Sequence, residues 1–495
     1  MKKLLFTLSL LISLFVLISC ASSPKDSAYP NAIAWDVASS EPNAGHETYE
    51  QIKENSFVET EKESSVYFSM DSNTSSYSNL RRMINEGYLN NLGNAIRTDE
   101  LLNYFDYDFN NSDLTFTSHA EISKCPWNQD NYLLTVGIKT RETTVENYSQ
   151  GNNYVFLIDV SGSMQGENRI GLVKKSFNML VDTLSDNDTV SIVTYASNEK
   201  IVLEGAKGAN KEAIKRAINN LVANGSTYAQ KGLQTAYEIA AKYFINGGNN
   251  RILIASDGDF NAGISDPVRL KEFIQDKAKS GVYISALGFG MGNYRDDMMR
   301  AIAQNGNGIF AYIDSIEEAK RVLIDKADNT FCVVAQDVKS KLEFNPELVS
   351  EYRLIGYENK TMSEIDYQND QTDAGELGSN TTTMICVELK LTEAALNDIN
   401  GLFKLNIKYK DPETLTGIEY IDTFIHLELK DFEETTEDHK FASCVVAFSL
   451  ILRDSKYKGQ ADITETVNLL SSLNCVKEDE YKAEFLSLVK KTFNL

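Results

Sequence analysis

Tyr154-Val155-Phe156-Leu157-Ile158-Asp159-Val160-Ser161-Gly162-Ser163-Met164 is the stretch whose reading decides the fold. Five consecutive apolar residues without polar alternation describe a strand buried on both faces, which is the habit of parallel sheets covered by helices. The run stops at an acid and two serines, and an amphipathic helix follows, with Ile170, Val173, Phe177, Leu180 and Leu184 on one face.

Downstream the alternation continues. Strands are expected at Thr189–Tyr195, Arg251–Ser256, Val282–Leu287 and Ile309–Tyr312. Helices are expected at Lys211–Leu221, Ala229–Phe244, Pro267–Lys279, Tyr294–Ala303 and Ile316–Asn329. This is the α/β, doubly wound parallel-sheet pattern, in which ligands bind beyond the carboxyl ends of the central strands. Three segments bring oxygen donors to such a crevice: Asp159, Ser161 and Ser163; Thr227 in Asn224-Gly225-Ser226-Thr227, before a helix; and Asp257 in Ser256-Asp257-Gly258, after a strand. An all-oxygen set suits a hard divalent cation, Mg²⁺ above all, with Mn²⁺ or Ca²⁺ as substitutes.

Asp-x-Ser-x-Ser, a later Thr and a strand-terminal Asp-Gly, in that order, resemble the metal-ion-dependent adhesion site of von Willebrand factor type A domains. The match is complete at Asp159, Ser161, Ser163, Thr227 and Asp257. The resemblance implies that Ser161 and Ser163 bind the metal through hydroxyls, that Thr227 joins when ligand is bound, and that Asp159 and Asp257 act mainly through water. It also implies a vacant position for a partner's Asp or Glu carboxylate, and a last helix that shifts along the sheet on binding. Gly247-Gly248-Asn249-Asn250-Arg251, Leu287-Gly288-Phe289-Gly290-Met291-Gly292-Asn293-Tyr294, Tyr352-Arg353-Leu354-Ile355-Gly356-Tyr357-Glu358-Asn359 and Tyr77-Ser78-Asn79-Leu80-Arg81-Arg82 are similar to a bacterial subfamily called YfbK-like. That resemblance runs from about residue 65 to the C-terminus.

On either side of the α/β unit (151–330) the texture is different. Residues 63–150 mix strands at Val66–Met70, Leu114–Ile122 and Tyr132–Lys139 with helices at Tyr77–Glu86 and Thr98–Phe105, the second with Thr98 as its N-cap. Residues 331–432 carry strands at Val333–Phe344, Tyr352–Tyr357, Thr383–Leu391, Leu402–Tyr409 and Tyr420–Leu429. Neither set looks like a full sandwich, so the type A domain is expected to be inserted in, or flanked by, an antiparallel β-domain. Residues 433–495 read as a helical C-terminal tail.

Lys2 and Lys3, the apolar run Leu4–Ile18 and then Ser19-Cys20 form a signal peptide (1–19) ending in a motif that looks like a lipobox. Acylation at Cys20 would anchor the chain in a bacterial cell envelope. Ala21 after it suggests, by resemblance, sorting to an outer membrane where one exists. Residues 20–62, rich in Ser, Glu, Asn and Pro, read as a flexible tether.

The formal net charge of −23 disfavours nucleic acid as a partner. Cys125, Cys332, Cys386, Cys444 and Cys475 are too scattered for a disulfide framework, and four dispersed histidines give no zinc site. Gly288–Gly292 lacks the spacing of a dinucleotide loop, and Asp106–Asn110 lacks the Gly and Glu of a calcium loop. Asp259 and Asn261 fall beside the metal motif, but no spacing rule makes them ligands. No Ser or Cys nucleophile has a plausible His partner. The leading expectation is therefore a metal-dependent binding module of the envelope, not an enzyme. An envelope assembly or chaperone-type scaffold, and a metal-dependent hydrolase using Asp159 and Asp257, are the alternatives.

Overall fold

Strand Asn152–Asp159 has every residue buried and lies at the middle of a six-stranded sheet. The sheet belongs to a computed structural model describing residues 52–87, 92–143, 150–258, 267–290, 296–412, 414–424 and 427–495. Thr189–Tyr195 and Asn249–Ser256 pair with the central strand, both parallel. Tyr283–Phe289 and Phe310–Ile313 extend the sheet in parallel on one side. Successive side chains of the central strand point to opposite faces, so the apolar run feeds two cores. Phe156 and Ile158 pack with Val173, Phe177, Ile218 and Leu323. Val155 and Leu157 pack with Leu233, Ala236, Ile274 and Ile302. Each such side chain contributes about 1.5–3 kcal/mol on burial, which explains the lack of polar alternation.

The sixth strand, Glu199–Lys207, escaped the sequence reading. It pairs antiparallel with Thr189–Tyr195 at the sheet edge, is half-buried or exposed throughout, and carries charges that guard the edge. The helix expected over 316–329 is also not uniform. Ile316–Lys320 is α-helical, Arg321–Asp325 winds as a π-turn, and Lys326 (φ −114°, ψ 27°) separates it from Ala327–Phe331.

The flanks fold together around this insertion. One sheet has the order Val58–Glu59, Val349–Ile355, Thr382–Leu391, Asn128–Thr140, Phe116–Cys125, Leu429–Lys430. Its seam joins sequence from both sides of the α/β unit, with Thr135 opposite Cys386. In the facing sheet Val333–Phe344 pairs with Gly375–Gly378, Phe403–Lys410 and Ser65–Ser69, and Gly417–Asp422 forms the far edge. Phe68, Leu134, Val136, Leu342, Val387 and Leu405 fill the space between the sheets. The strand expected over 420–429 ends at Asp422, and a two-residue strand resumes at Leu429.

The outer face of the first sheet is covered by helices from both chain ends. Cys125, Leu133, Met384 and Cys386 from the sheet meet Tyr77, Leu101 and Phe105 from the N-terminal side, and Phe441, Phe448 and Phe485 from the C-terminal side. Residues 433–495 are thus core, not an appendage. Thr98 does not cap its helix: Arg97 holds the N-cap position, and Thr98 Oγ1 lies 2.7 Å from Ser449 Oγ of helix Glu437–Leu452. The described cysteines are unbridged, and all but the half-buried Cys475 are buried.

A Ser–His pair, unforeseen in the sequence, joins helix to sheet. His439 Nε2 lies 2.9 Å from Ser123 Oγ, and Nδ1 lies 2.8 Å from Thr135 Oγ1. Ser123 and His439 are both buried, and a hydroxyl rather than a carboxylate stands on Nδ1, so this is a structural clamp and not a nucleophile pair. Burial pushes the imidazole down to about 4, although Glu121 opposes the shift. Above the unfolded value of about 6.5 the ring is neutral in both states. As pH falls from there to about 4 the unfolded chain takes up a proton that the folded one refuses, and stability is lost. The expected contribution is roughly 3 kcal/mol across that window. Urea midpoints at pH 7 and pH 4.5 check it: His439→Gln should flatten the difference, and an unchanged pH dependence would assign it elsewhere.

Candidate metal centre

Asp159 is the last residue of the central strand, and the chain turns immediately after it. Its Oδ1 accepts the Ser161 backbone N–H at 2.8 Å, and its Oδ2 accepts the Ser256 hydroxyl at 3.1 Å. The turn brings Ser161 Oγ to 2.9 Å from Ser163 Oγ. Asp257 follows strand Asn249–Ser256, whose Ala255 pairs with Ile158, so both aspartates emerge at the same end of neighbouring strands. Both are buried. Burial, with the Asp257 charge adding to it, pushes the Asp159 carboxyl up to about 7, against the lowering hydrogen bonds from Ser161 and Ser256.

Thr227 lies in the loop before helix Ala229–Lys242 and is half-buried. Backbone bonds fix this loop to the serine turn: Asn224 N–H donates to Val160 O at 2.7 Å, and Gly162 N–H to Gly225 O at 2.8 Å. Tyr228 N–H donates to Ala196 O at 2.8 Å. Among the described residues the Thr227 hydroxyl makes no hydrogen bond to the other four side chains. The structure therefore joins Asp159, Ser161 and Ser163 directly, sets Asp257 beside them, and holds Thr227 on an adjoining loop. Asp259, Asn261 and the Met291–Tyr294 stretch lie outside the described residues.

Three participants were missed in the sequence. Ser256 orients Asp159 and also accepts the Gly258 N–H at 3.0 Å. Tyr195 is buried beneath the site, and its phenol is pushed well up by burial and then by Asp159. Arg169 Nη1 donates to Ser163 O at 2.5 Å. Gly290 lets Arg169 approach: a Cβ there would stand 2.6 Å from Arg169 Nε, and φ is +93°. Gly288 and Phe289 end strand Tyr283–Phe289, and the chain leaves the sheet at Gly290. Ser256 could have been flagged by its place before Asp257, but no sequence signal marks Tyr195 or Arg169.

The donors fit a hard cation. All are carboxylate or hydroxyl oxygens, and two buried carboxylates at one strand end need a positive charge or a proton. Asp159 has both oxygens engaged by neighbours, which suits an indirect role. The serine hydroxyls, 2.9 Å apart, suit adjacent direct ligands.

Parts of this chain are similar to known families and proteins. A model described as "von Willebrand factor type A domain" matches residues 153–324, one described as "von Willebrand factor" matches 43–135, and "Uncharacterized protein YfbK, C-terminal" matches 329–495. The chain is 35% identical over 474 residues to "Uncharacterized protein YfbK" of Escherichia coli (strain K12), covering 90% of this chain and 81% of that one. It is 29% identical over 118 residues to the human "Voltage-dependent calcium channel subunit alpha-2/delta-2", covering 23% of this chain and 10% of that protein. Among solved structures, "von Willebrand factor type A from Catenulispora acidiphila" aligns with a TM-score of 0.41 at 16% identity, over 76% of this chain and 89% of that one. With the type A domain at its centre and sequence similarity running through both flanks, the chain belongs to the YfbK family of von Willebrand factor type A domain proteins.

Proposed function

We propose that this protein is a cell-envelope lipoprotein that grips a protein partner through a divalent metal ion in its type A domain. The observation that carries the reading is that Asp159, Ser161, Ser163 and Asp257 lie at one end of the central strands, with the loop that carries Thr227 bonded to the serine turn. Ser161 and Ser163 would hold the ion directly, Thr227 with ligand bound, and Asp159 and Asp257 through water. Mg²⁺ suits the set best, with Mn²⁺ or Ca²⁺ as alternatives. Bound there, the ion supplies an exposed positive charge that a hard anionic oxygen can complete. The favoured ligand is a partner's Asp or Glu carboxylate. On a chain of net charge −23, such a residue needs a local cation to dock against.

Ser161→Ala tests the site. Losing even an outer partner of a metal site costs roughly 10–100-fold in affinity, so losing a direct hydroxyl should cost at least about tenfold. Calorimetric Mg²⁺ titration reads this, and identical isotherms for wild type and variant would remove the assignment. Capture of envelope proteins on the immobilised chain, with elution in EDTA, would identify the partner.

The anchor is proposed at Cys20, which lies outside the described residues. Among those described, no helix is long and apolar enough to cross a membrane. Cys20→Ser should therefore move the protein from the membrane fraction to the soluble fraction, with the outer membrane the expected residence in a cell that has one. A variant that stays with the membrane would overturn the proposal.

A further inference from the structure

A second set of carboxylates gathers at the opposite end of the type A sheet. Asp337 sits in the irregular half of strand Val333–Phe344, where the register shifts and its φ is +51°. Asp373 precedes strand Gly375–Gly378, and Glu376 lies within it, on the partner of that irregular half. One oxygen from each of the three lies within 4.8 Å of the others. Lys410 Nζ stands 2.6 Å from Asp337 Oδ2, matching one of the three charges, and Ala374 N–H donates to Asp337 Oδ1 at 3.1 Å.

Glu376 is the decisive member. It is only 4% exposed, and among the described residues its carboxylate accepts no hydrogen bond and enters no ion pair. A buried, unmatched carboxylate is strongly unfavourable unless a proton or a cation joins it. Burial, then repulsion by Asp373, Asp337 and Asp71, pushes its carboxyl well above the ordinary range, although the Arg251 charge opposes the shift. Beside the cluster opens a cavity of about 990 Å³ lined by Asp337 and Asp373, together with Tyr283, Asn305 and Asn307 of the type A domain. It offers an entry path and room for waters.

We propose that Asp337, Asp373 and Glu376 form a second divalent-cation site, of the calcium class, that ties the β-sandwich to the type A domain. Calcium takes about six to eight oxygens at roughly 2.3–2.6 Å in flexible geometry, so three carboxylate oxygens that all lie within 4.8 Å of one another can share one ion. The cavity supplies the remaining ligands as water. Asp373 also faces Lys271 and Gln275 of helix Pro267–Ala278, so an ion here bears on the junction between the two folded units.

The test uses the full chain and Ca²⁺ alone, with Ser161→Ala reporting the first site separately. Calorimetry of Ser161→Ala should show one retained Ca²⁺ site. Adding Glu376→Gln should weaken that site at least tenfold, as should adding the solvent-accessible Asp373→Asn, which guards against a variant that fails to fold. Tyr283, Tyr367 and Tyr409 line the cavity, so tyrosine-sensitised Tb³⁺ emission should fall in the same variants. Ca²⁺ should also raise the thermal midpoint of Ser161→Ala but not of Ser161→Ala carrying Asp373→Asn. The proposal is overturned if folded Ser161→Ala binds no Ca²⁺, or if Asp373→Asn binds it as the parent does. Either result leaves the Asp159 site untouched.

Discussion

Replacing Arg81 with alanine is expected to cost about 3–5 kcal/mol of folding stability, because it strands buried carboxylates. Arg81, on helix Ser75–Glu86, is 5% exposed. Its Nε and Nη2 donate to Asp314 at 2.9 and 2.5 Å, Nη2 also to Glu318 at 2.7 Å, and Nη1 to Glu484 at 3.0 Å. One guanidinium therefore holds the end of the type A sheet, the helix after it and the last helix of the chain. Burial already pushes the Asp314 carboxyl up to about 6 with Arg81 in place. Arg81→Lys should rescue only part of the loss, since an ammonium lacks the planar fork. Urea unfolding of the full chain measures both. A loss below about 1 kcal/mol would mean that the cluster behaves as a solvated surface pair.

Phe485→Ala is expected to cost a similar amount, about 3–5 kcal/mol. The ring is fully buried within helix Glu480–Phe493. Its centroid lies 5.5 Å from Phe105, 5.9 Å from Phe441 and 5.4 Å from Phe448, so the cavity would open between helices from both ends of the chain. The urea midpoint and the near-ultraviolet signal of the aromatic cluster should fall together. Near-wild-type stability would return residues 433–495 to the status of an appendage.

What was legible in the sequence follows from which signals are local. The run at 154–158 is apolar because its strand is covered on both sides, and that signal needs no knowledge of partners. Asp159, Ser161 and Ser163 sit within five residues of one another, and their hydroxyl contact follows from the turn itself. Strand 199–207 was invisible because an exposed edge strand has no reason to alternate. The role of helix Glu437–Leu452 was half visible. Phe441, Ala442, Cys444, Val445, Val446 and Phe448 are all buried, and a helix apolar all round belongs inside a protein. Its partners could not be read, since Phe105 and Met384 come from distant sequence. Ser123 and His439, 316 positions apart, could be paired only by the sheet and helix that carry them. The same holds for Arg81 and Glu318.

The interrupted sandwich dictates an order of events during synthesis. Lys139 pairs with Thr382, and Tyr67 with Lys341, so the whole type A domain is made between the first and second halves of each seam. At ribosomal rates of about 5–20 residues per second, the early strands emerge on the order of tens of seconds before their neighbours. The type A sheet, whose strands pair with others inside the insertion, can finish folding in that interval. Strands Phe116–Cys125 and Asn128–Thr140 meanwhile wait as a lone hairpin with both outer edges open, and a lone hairpin is at best marginally stable in water. The nascent chain is thus most vulnerable to aggregation, and most dependent on chaperones, after its type A domain has formed and before Thr382–Leu391 closes the seam.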